Sequence, residues 1–300
     1  KFVNESRFVN GCKISGLCSQ NKKDAEEYGD LELITDDFDK ILEASDALYI
    51  ASHPTLHYKQ IKKALKNGKH VICESPVALS GEECDELYEI AGKSGLILMD
   101  AIKTAYSTAY ARMLLLIESG AIGKVVSVDA TCTSLRVNEN GDPDYYKTNW
   151  NSSCDWGPNA ILPVFQLLGT KYKDIRIISS FADEDKDYDL FSKFDFTYDS
   201  AVATVKVGKG VKSEGELVVS GTKGYVYVPA PWWKTDYFEI RYENPADKKR
   251  YFYQLNGEGI RYEIVAFIKA IESGRVIDMI PREVSRAICE VVSSKNRIEI

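Results

Sequence analysis

Apolar and polar positions along the chain fall into two regimes. From Lys1 to about Met99, short apolar runs alternate with segments whose apolar residues recur at helical spacing. Lys1 to Val9, with Phe2, Val3, Phe8 and Val9 apolar, predicts the end of a helix. Cys12 to Ser19 alternates after Gly11 and predicts a strand, and Asn21 to Tyr28, closed by Gly29, predicts a helix. An extended piece at Leu31 to Thr35 leads to a brief helix capped by Asp36 or Asp37 and running through Glu43. Ala47 to Ala51 predicts a strand ending at Ser52-His53-Pro54-Thr55, and the helix Leu56 to Asn67 sets Ile61 and Leu65 on one face. Val71-Ile72-Cys73 predicts a fully buried parallel strand that runs into the turn Glu74-Ser75-Pro76. A helix from Ser80 to Lys93, closed by Gly95, and a strand from Leu96 to Met99 complete a rhythm that predicts a doubly wound parallel sheet.

Beyond Asp100 the rhythm changes. A helix is expected from about Ala109 to Ser119, then a long alternating strand from Val125 to Ser134, a polar loop to about Asp155, and a helix from Ala160 to Leu168. Seven further alternating segments follow: Ile175 to Phe181, Phe191 to Tyr198, Ala201 to Val207, Glu214 to Ser220, Tyr225 to Pro229, Tyr237 to Tyr242 and Arg250 to Leu255. Their period of two predicts a mostly antiparallel open sheet with one face buried. Two helices close the chain, Gly259 to Ser273 and Pro281 to Ser294, the second with proline in its first turn. The expected division is therefore α/β over residues 1–102 and α+β, an open-sheet domain with closing helices, over residues 103–300.

Composition narrows the function. A net charge of −7 over 300 residues argues against a nucleic-acid partner and against an anionic membrane surface. Apolar runs are too short to span a bilayer. Seven cysteines without a Cys-x-x-Cys pair fit buried free thiols in a reducing cytoplasm. The three histidines all lie between positions 53 and 70, so no histidine-based metal site is expected.

Polar residues just past the carboxyl end of a buried parallel strand line the crevice in which open α/β sheets bind ligands. Glu74, Ser75 and Pro76 stand at such a place, although Ser75-Pro76 equally reads as a strand breaker. Lys103 and Tyr106 follow the strand Leu96 to Met99; either could act as an acid or base, or serve as a surface lysine and an interdomain packing ring. Arg136 and Trp150 in the polar loop could touch an anionic or sugar-like ligand, and Trp232-Trp233 could form a sugar-stacking platform or a buried sheet edge.

Several motifs in one order carry a resemblance. Leu56-His57 stands ahead of Gly68-Lys69-His70-Val71 and Glu74-x-Pro76. Ile117-Glu118-Ser119-Gly120-Ala121-Ile122-Gly123 follows, then Asp155-x-Gly157 and Gly221-Thr222-Lys223-Gly224. Over essentially its whole length the chain resembles the glucose–fructose oxidoreductase/inositol dehydrogenase (Gfo/Idh/MocA) family. The resemblance implies a Rossmann domain binding NAD(P) and a C-terminal open sheet with the substrate site. It also implies hydride transfer between nicotinamide and a hydroxyl of a sugar, polyol or related compound, and a homodimer or larger homo-oligomer formed through the open sheet. It places His57 near the nicotinamide side, with Ser52 and His53 in the loop before it. The strand end Ser19-Gln20 carries no acid for a ribose hydroxyl, and Lys22 and Lys23 are close by, which favours NADP over NAD; a plain helix cap at Asn21 is the other reading.

Three departures from the family pattern stand beside these matches. The glycine-rich phosphate loop would lie upstream of Lys1, and the expectation is that a leading strand and loop precede it, the alternative being that the protein lacks them. Ser75 replaces the lysine of Glu-Lys-Pro, which brings positive charge to the reacting hydroxyl. Asn159 replaces the acid/base histidine four residues after Asp155, and an amide cannot shuttle a proton. Two readings follow: an NAD(P)-dependent oxidoreductase with a degenerate proton relay, or a non-catalytic ligand-binding or interaction protein that keeps the fold.

Overall fold

A computed structural model describes residues 1–20, 27–136, 138, 145–182, 184–275 and 279–300. In the N-terminal part, helix α1 (Phe2–Ser6) precedes strands β1 (Gly16–Cys18) and β2 (Leu33–Thr35). Helix α2 (Phe38–Ala44) is capped by the Asp37 carboxylate, which accepts from the Asp39 amide at 2.9 Å. Strand β3 (Ala47–Ile50), helix α3 (Pro54–Lys66), strand β4 (His70–Glu74), helix α4 (Gly81–Lys93) and strand β5 (Leu98–Ala101) follow. All of these strands pair in parallel, but as two sheets, β1-β2 and β3-β4-β5. A dinucleotide-binding sheet of order 3-2-1-4-5-6 would set a strand between these two portions. None is described between β1 and β3. The core of this part is Leu48, Ile50, Ile61, Leu65, Val71, Cys73, Leu87 and Leu98, joined by Cys289 from the far end of the chain.

The remainder is built on a ten-stranded sheet. After a 3-10 turn (Lys103–Tyr106) and helix α5 (Thr108–Glu118) come β6 (Val125–Leu135) and helices α6 (Tyr145–Thr148) and α7 (Ser152–Leu168). Strands β7 (Asp174–Phe181), β8 (Asp189–Thr197), β9 (Val202–Gly208), β10 (Gly210–Val211), β11 (Leu217–Gly221), β12 (Tyr225–Val228), β13 (Tyr237–Arg241) and β14 (Lys249–Phe252) follow. Helices α8 (Ile260–Ser273) and α9 (Arg282–Val292) and the short strand β15 (Ile298–Glu299) end the chain. The order is β14-β13-β12-β11-β6-β9-β8-β7-β15, antiparallel except for the β6–β9 and β7–β15 pairs, with β10 beside β6. Val128, Ala130, Val205, Val207, Leu217, Val219, Phe194 and Phe196 bury the inner face against α7. Helix α9 packs on both α4 and α7 and so joins the two parts.

Four expectations are corrected. The strand expected over Cys12 to Ser19 shortens to β1. The strand expected at Leu96 to Met99 shifts to β5, so Asp100 lies within the sheet, opposite Cys73. Pro281 is the N-cap of α9 and not part of its first turn. The helix expected from Ala160 starts at Ser152, because the Asn151 side chain accepts from the Cys154 amide at 2.9 Å and Ser152 and Ser153 are tied to the sheet. Pro158 and Pro163 remove two main-chain donors, yet the helix persists because Cys154, Ile161, Leu162 and Phe165 are buried. The helix expected over Asn21 to Tyr28 lies mostly outside the described residues.

A buried polar cluster fixes the start of α7. Asp189 is fully buried; its Oδ2 accepts from the Ser153 amide at 3.1 Å and from the hydroxyls of Ser153 and Ser192 at 2.9 and 2.7 Å. Arg297 Nη1 donates to Ser153 Oγ at 3.0 Å and Ser192 Oγ at 3.2 Å and lies 3.6 Å from Asp189 Oδ1. Removing one partner of such a pair leaves an uncompensated charge. Arg297→Met should therefore lower stability by about 3 kcal/mol, seen as a lower urea midpoint at unchanged slope. A loss below about 0.5 kcal/mol would contradict this role.

Candidate functional site

The carboxyl end of β4 delivers Glu74, Ser75 and Pro76 side by side. Glu74 is held by a hydrogen bond from the Tyr49 hydroxyl on β3, and Phe2 stacks on the Tyr49 ring at 3.7 Å. Burial raises the Glu74 pKa, opposed by the Tyr49 bond and by the charge of Lys103. Ser75 is buried and its hydroxyl has no hydrogen-bond partner among the described residues.

His57, fully buried at the start of α3, faces two main-chain carbonyls, Pro76 O and Ser52 O, each at 2.8 Å. A neutral imidazole has one N–H, so it can donate to only one of them. Burial nonetheless lowers its pKa, with the two carbonyls opposing. His57 thereby ties together the two loops that follow β3 and β4, and the edge of Trp150 rests on its ring at 5.5 Å. His53, read as a loop residue, is the N-cap of α3, its Nδ1 at 2.9 Å from Thr55 Oγ1, and Ser52 Oγ donates to Gln60 Oε1 at 2.6 Å. Ser19 directly follows β1, its amide donating to Thr35 O at 3.0 Å, and Gln20 is exposed beside it.

The turn after β5 separates the two candidate proton carriers. Lys103 is mostly buried, and burial lowers its pKa, partly offset by Glu258, whose carboxylate is 3.8 Å away. The Tyr106 hydroxyl is directed inward and donates to Asp100 O at 3.1 Å. Between them the Thr104 hydroxyl donates to Trp233 O at 2.9 Å and lies 3.3 Å from Asn159 Oδ1. That contact brings the strand end, α7 and the large sheet to one place.

Helix α7 presents Asp155 in its first turn and Asn159 one turn on. Asp155 pairs with Lys209 at 3.1 Å and Arg136 at 3.3 Å. Lys209 was not visible in the sequence: it lies between β9 and β10, flanked by two glycines, its side chain is 4% exposed, and it also donates to Trp150 O at 2.5 Å. Arg136 also lies over the Trp156 ring, at 5.6 Å. Of the tryptophan pair, Trp232 is buried in the 3-10 turn Trp232–Lys234 and is not a sheet edge; its Nε1 donates to Thr131 O of β6 at 3.0 Å. Trp233 is half-buried with its ring 4.8 Å from that of Trp156.

Two further buried acids were missed. Glu263, in the first turn of α8, has its pKa raised well above the ordinary value by burial and then by Glu74. Asp100 is pushed up to about 7 by burial in an apolar core; Ser285 and Ser75 pull the other way, though neither reaches hydrogen-bond geometry with its carboxylate oxygens. Among the described residues no group of three His, Cys, Asp or Glu is arranged to hold a metal ion. No described helix is long and apolar enough to cross a membrane.

With the geometry in place, comparison with known proteins is informative. Residues 2–101 match the family described as GFO_IDH_MocA, an oxidoreductase family with an NAD-binding Rossmann fold. A scyllo-inositol 2-dehydrogenase (NADP(+)) of Bacillus subtilis is 29% identical over 111 residues, which cover 35% of this chain and 34% of that protein. The match thus spans about a third of the relative's length. A 3-ketoreductase from Actinomadura kijaniata, solved with NADP and TDP-benzene, superposes with a TM-score of 0.85 at 18% identity, covering 99% of this chain and 94% of the other. A levoglucosan dehydrogenase, solved with NADH and levoglucosan, does so with a TM-score of 0.81 at 19% identity over 97% and 90%.

Asp100 makes a pH test possible. Raised from 3.8 to about 7, it binds its proton more tightly folded than unfolded. Its contribution to stability is full below pH about 4, falls as pH rises toward 7, and stays lost above that. Asp100→Asn should reduce the slope between pH 4 and 7 and be more stable than wild type at pH 8, by at most on the order of 4 kcal/mol. An unchanged slope would contradict the assignment.

Proposed function

This chain has the fold of the Gfo/Idh/MocA oxidoreductases, and on that premise we propose that it is an NADP-dependent oxidoreductase acting on a hydroxyl or carbonyl of a sugar- or polyol-like compound. One observation carries the reading. Lys103, with an amine of lowered pKa, stands at the carboxyl end of β5 beside the Thr104–Asn159 contact, where the parallel sheet meets α7 and the large sheet. Bound NADP would supply the hydride acceptor or donor. The nicotinamide end fits Glu74, Ser75 and Pro76, where the buried Ser75 hydroxyl lacks a partner, with Ser52, His53 and His57 shaping the adjoining loop. The adenosine end falls to Ser19 and Gln20, and the absence of an acid there supports NADP over NAD. The glycine-rich turn that would hold the pyrophosphate is not among these 300 residues.

Oxidation of an alcohol removes a hydride from carbon and a proton from oxygen. Neither Ser75 nor Asn159 can accept that proton near neutral pH. Tyr106 is committed to Asp100 O, which leaves Lys103 to take it as the neutral amine and return it in the reverse direction. Asp155, held by Lys209 and Arg136, and Asn159 orient the substrate hydroxyls, with Trp150 behind the loop. The second reading, a binding protein without turnover, rests on the same two replacements, Ser75 and Asn159.

The half-exposed outer face of the large sheet brings Val202, Val218 and Tyr227 together with Ser127 and Asp129. It supports a homodimer or larger homo-oligomer paired through that sheet, and the seven free cysteines support a cytoplasmic location. Sedimentation at micromolar concentration should show at least a dimer; a monomer would overturn the pairing.

Calorimetry should give tighter binding of NADP than of NAD. Lys103→Met and Lys103→Arg should each lower turnover by about two to four decades without changing NADP affinity. Wild-type oxidation should rise with pH and level off below the ordinary lysine range, since only the neutral amine accepts a proton. Full turnover in Lys103→Met would remove the proton role, and NADP binding without turnover in any variant would favour the binding protein.

A further inference from the structure

At the rim of this crevice one carboxylate is shared by three lysines. Glu258 sits in the loop between β14 and α8, with Lys234 Nζ at 2.7 Å, Lys103 Nζ at 3.8 Å and Lys1 Nζ at 3.9 Å. Lys234 and Lys1, joined by Lys103 when it is protonated, gather positive charge around one carboxylate in a chain whose net charge is −7. Burial raises the pKa of the other two acids near Lys103, Glu74 and Glu263. Lys234 belongs to the 3-10 turn Trp232–Lys234 of the large sheet, which is the substrate side of the crevice and not the β1 end assigned to the adenosine of NADP. It directly follows Trp233, whose half-buried ring meets Trp156 at 4.8 Å. An aromatic wall next to a cationic rim suits a sugar ring that carries an anionic group.

We propose that the substrate is an anionic sugar derivative whose carboxylate or phosphate is bound by Lys234 and Lys103 in the place Glu258 now occupies, with its ring against Trp233 and Trp156. This rests on the crevice being a sugar site, as argued above, but not on hydride transfer. Glu258 acts as an internal stand-in for the ligand's anion: it keeps the lysines gathered when the site is free and yields when a stronger anion enters. Lys103 keeps its proton role, and its charge, when present, adds to the field felt by the substrate.

The test is calorimetric titration of the full chain with glucuronate, glucose 6-phosphate and glucose, with and without NADP. At least one of the two anionic sugars should bind about tenfold or more tighter than glucose, and the tighter of the two identifies the group recognised. That preference should shrink as salt is raised. Lys234→Met should weaken the anionic sugar by about tenfold or more and leave glucose unchanged, Lys234→Arg should largely restore it, and Glu258→Gln should tighten it. Equal binding of all three sugars, no binding of either anionic sugar, or an unaltered preference in a folded Lys234→Met would overturn the proposal. Absence of turnover or of NADP binding would instead count against the proposed function, because the sugar titration requires neither.

Discussion

The turn Lys103–Tyr106 is the joint on which the site depends. A parallel strand buried on both faces must end where its main chain can leave the sheet, and β5 ends one residue before this turn. The buried Thr104 hydroxyl meets two elements there, Trp233 O at 2.9 Å and Asn159 Oδ1 at 3.3 Å. On either side of that contact Lys103 faces the Glu258 carboxylate and Tyr106 is directed inward, donating to Asp100 O. Packing thus gives two residues three positions apart different surroundings.

Burial then sets the electrostatics. Glu74, Asp100 and Glu263 are all raised, and burial is the leading cause for each; Lys103 is lowered for the same reason. A buried lysine of lowered pKa is available as the neutral amine at a lower pH than an exposed one. Positive charge is also held beside Asp155 through Lys209, which is almost wholly buried and fixed by Asp155 and Trp150 O. The family's lysine next to Glu74 is absent, yet the crevice is not without cations. They come from the end of β5 and from the large sheet.

Much of this was legible in the residues. The β4 strand and its Glu74-Ser75-Pro76 ending, the helix Ser80 to Lys93 and the antiparallel run after Asp174 follow from period and punctuation, which local sequence states directly. Asp155 and Asn159 were legible as a pair because their four-residue spacing survives even though their neighbours differ. What was hidden depended on long-range contacts. The first turns of α7 carry Gly157 and Pro158, which read as a loop until Ser153 and Ser152 are seen bonded to Asp189 of β8 and to Lys209 after β9, far along the chain. Lys209 lies between glycines with nothing local to mark its burial. Glu263 lies on an amphipathic helix where a glutamate is ordinarily solvated. The roles of Lys103 and Tyr106 could not be separated from spacing alone, because the separation is made by Thr104 and Asn159, which are 55 residues apart.

The central claim is that this crevice moves a hydride between a nicotinamide and a sugar-like carbon. Its most direct test is isotopic. The protein would be incubated with NADPH carrying deuterium at the transferring position of its nicotinamide and a panel of keto-sugars that includes carboxylated and phosphorylated ones, with the products read by mass spectrometry. The expected result is an alcohol product heavier by one deuterium at the reduced carbon, formed far more slowly in Lys103→Met. A panel in which NADPH binds and no sugar gains deuterium would contradict it.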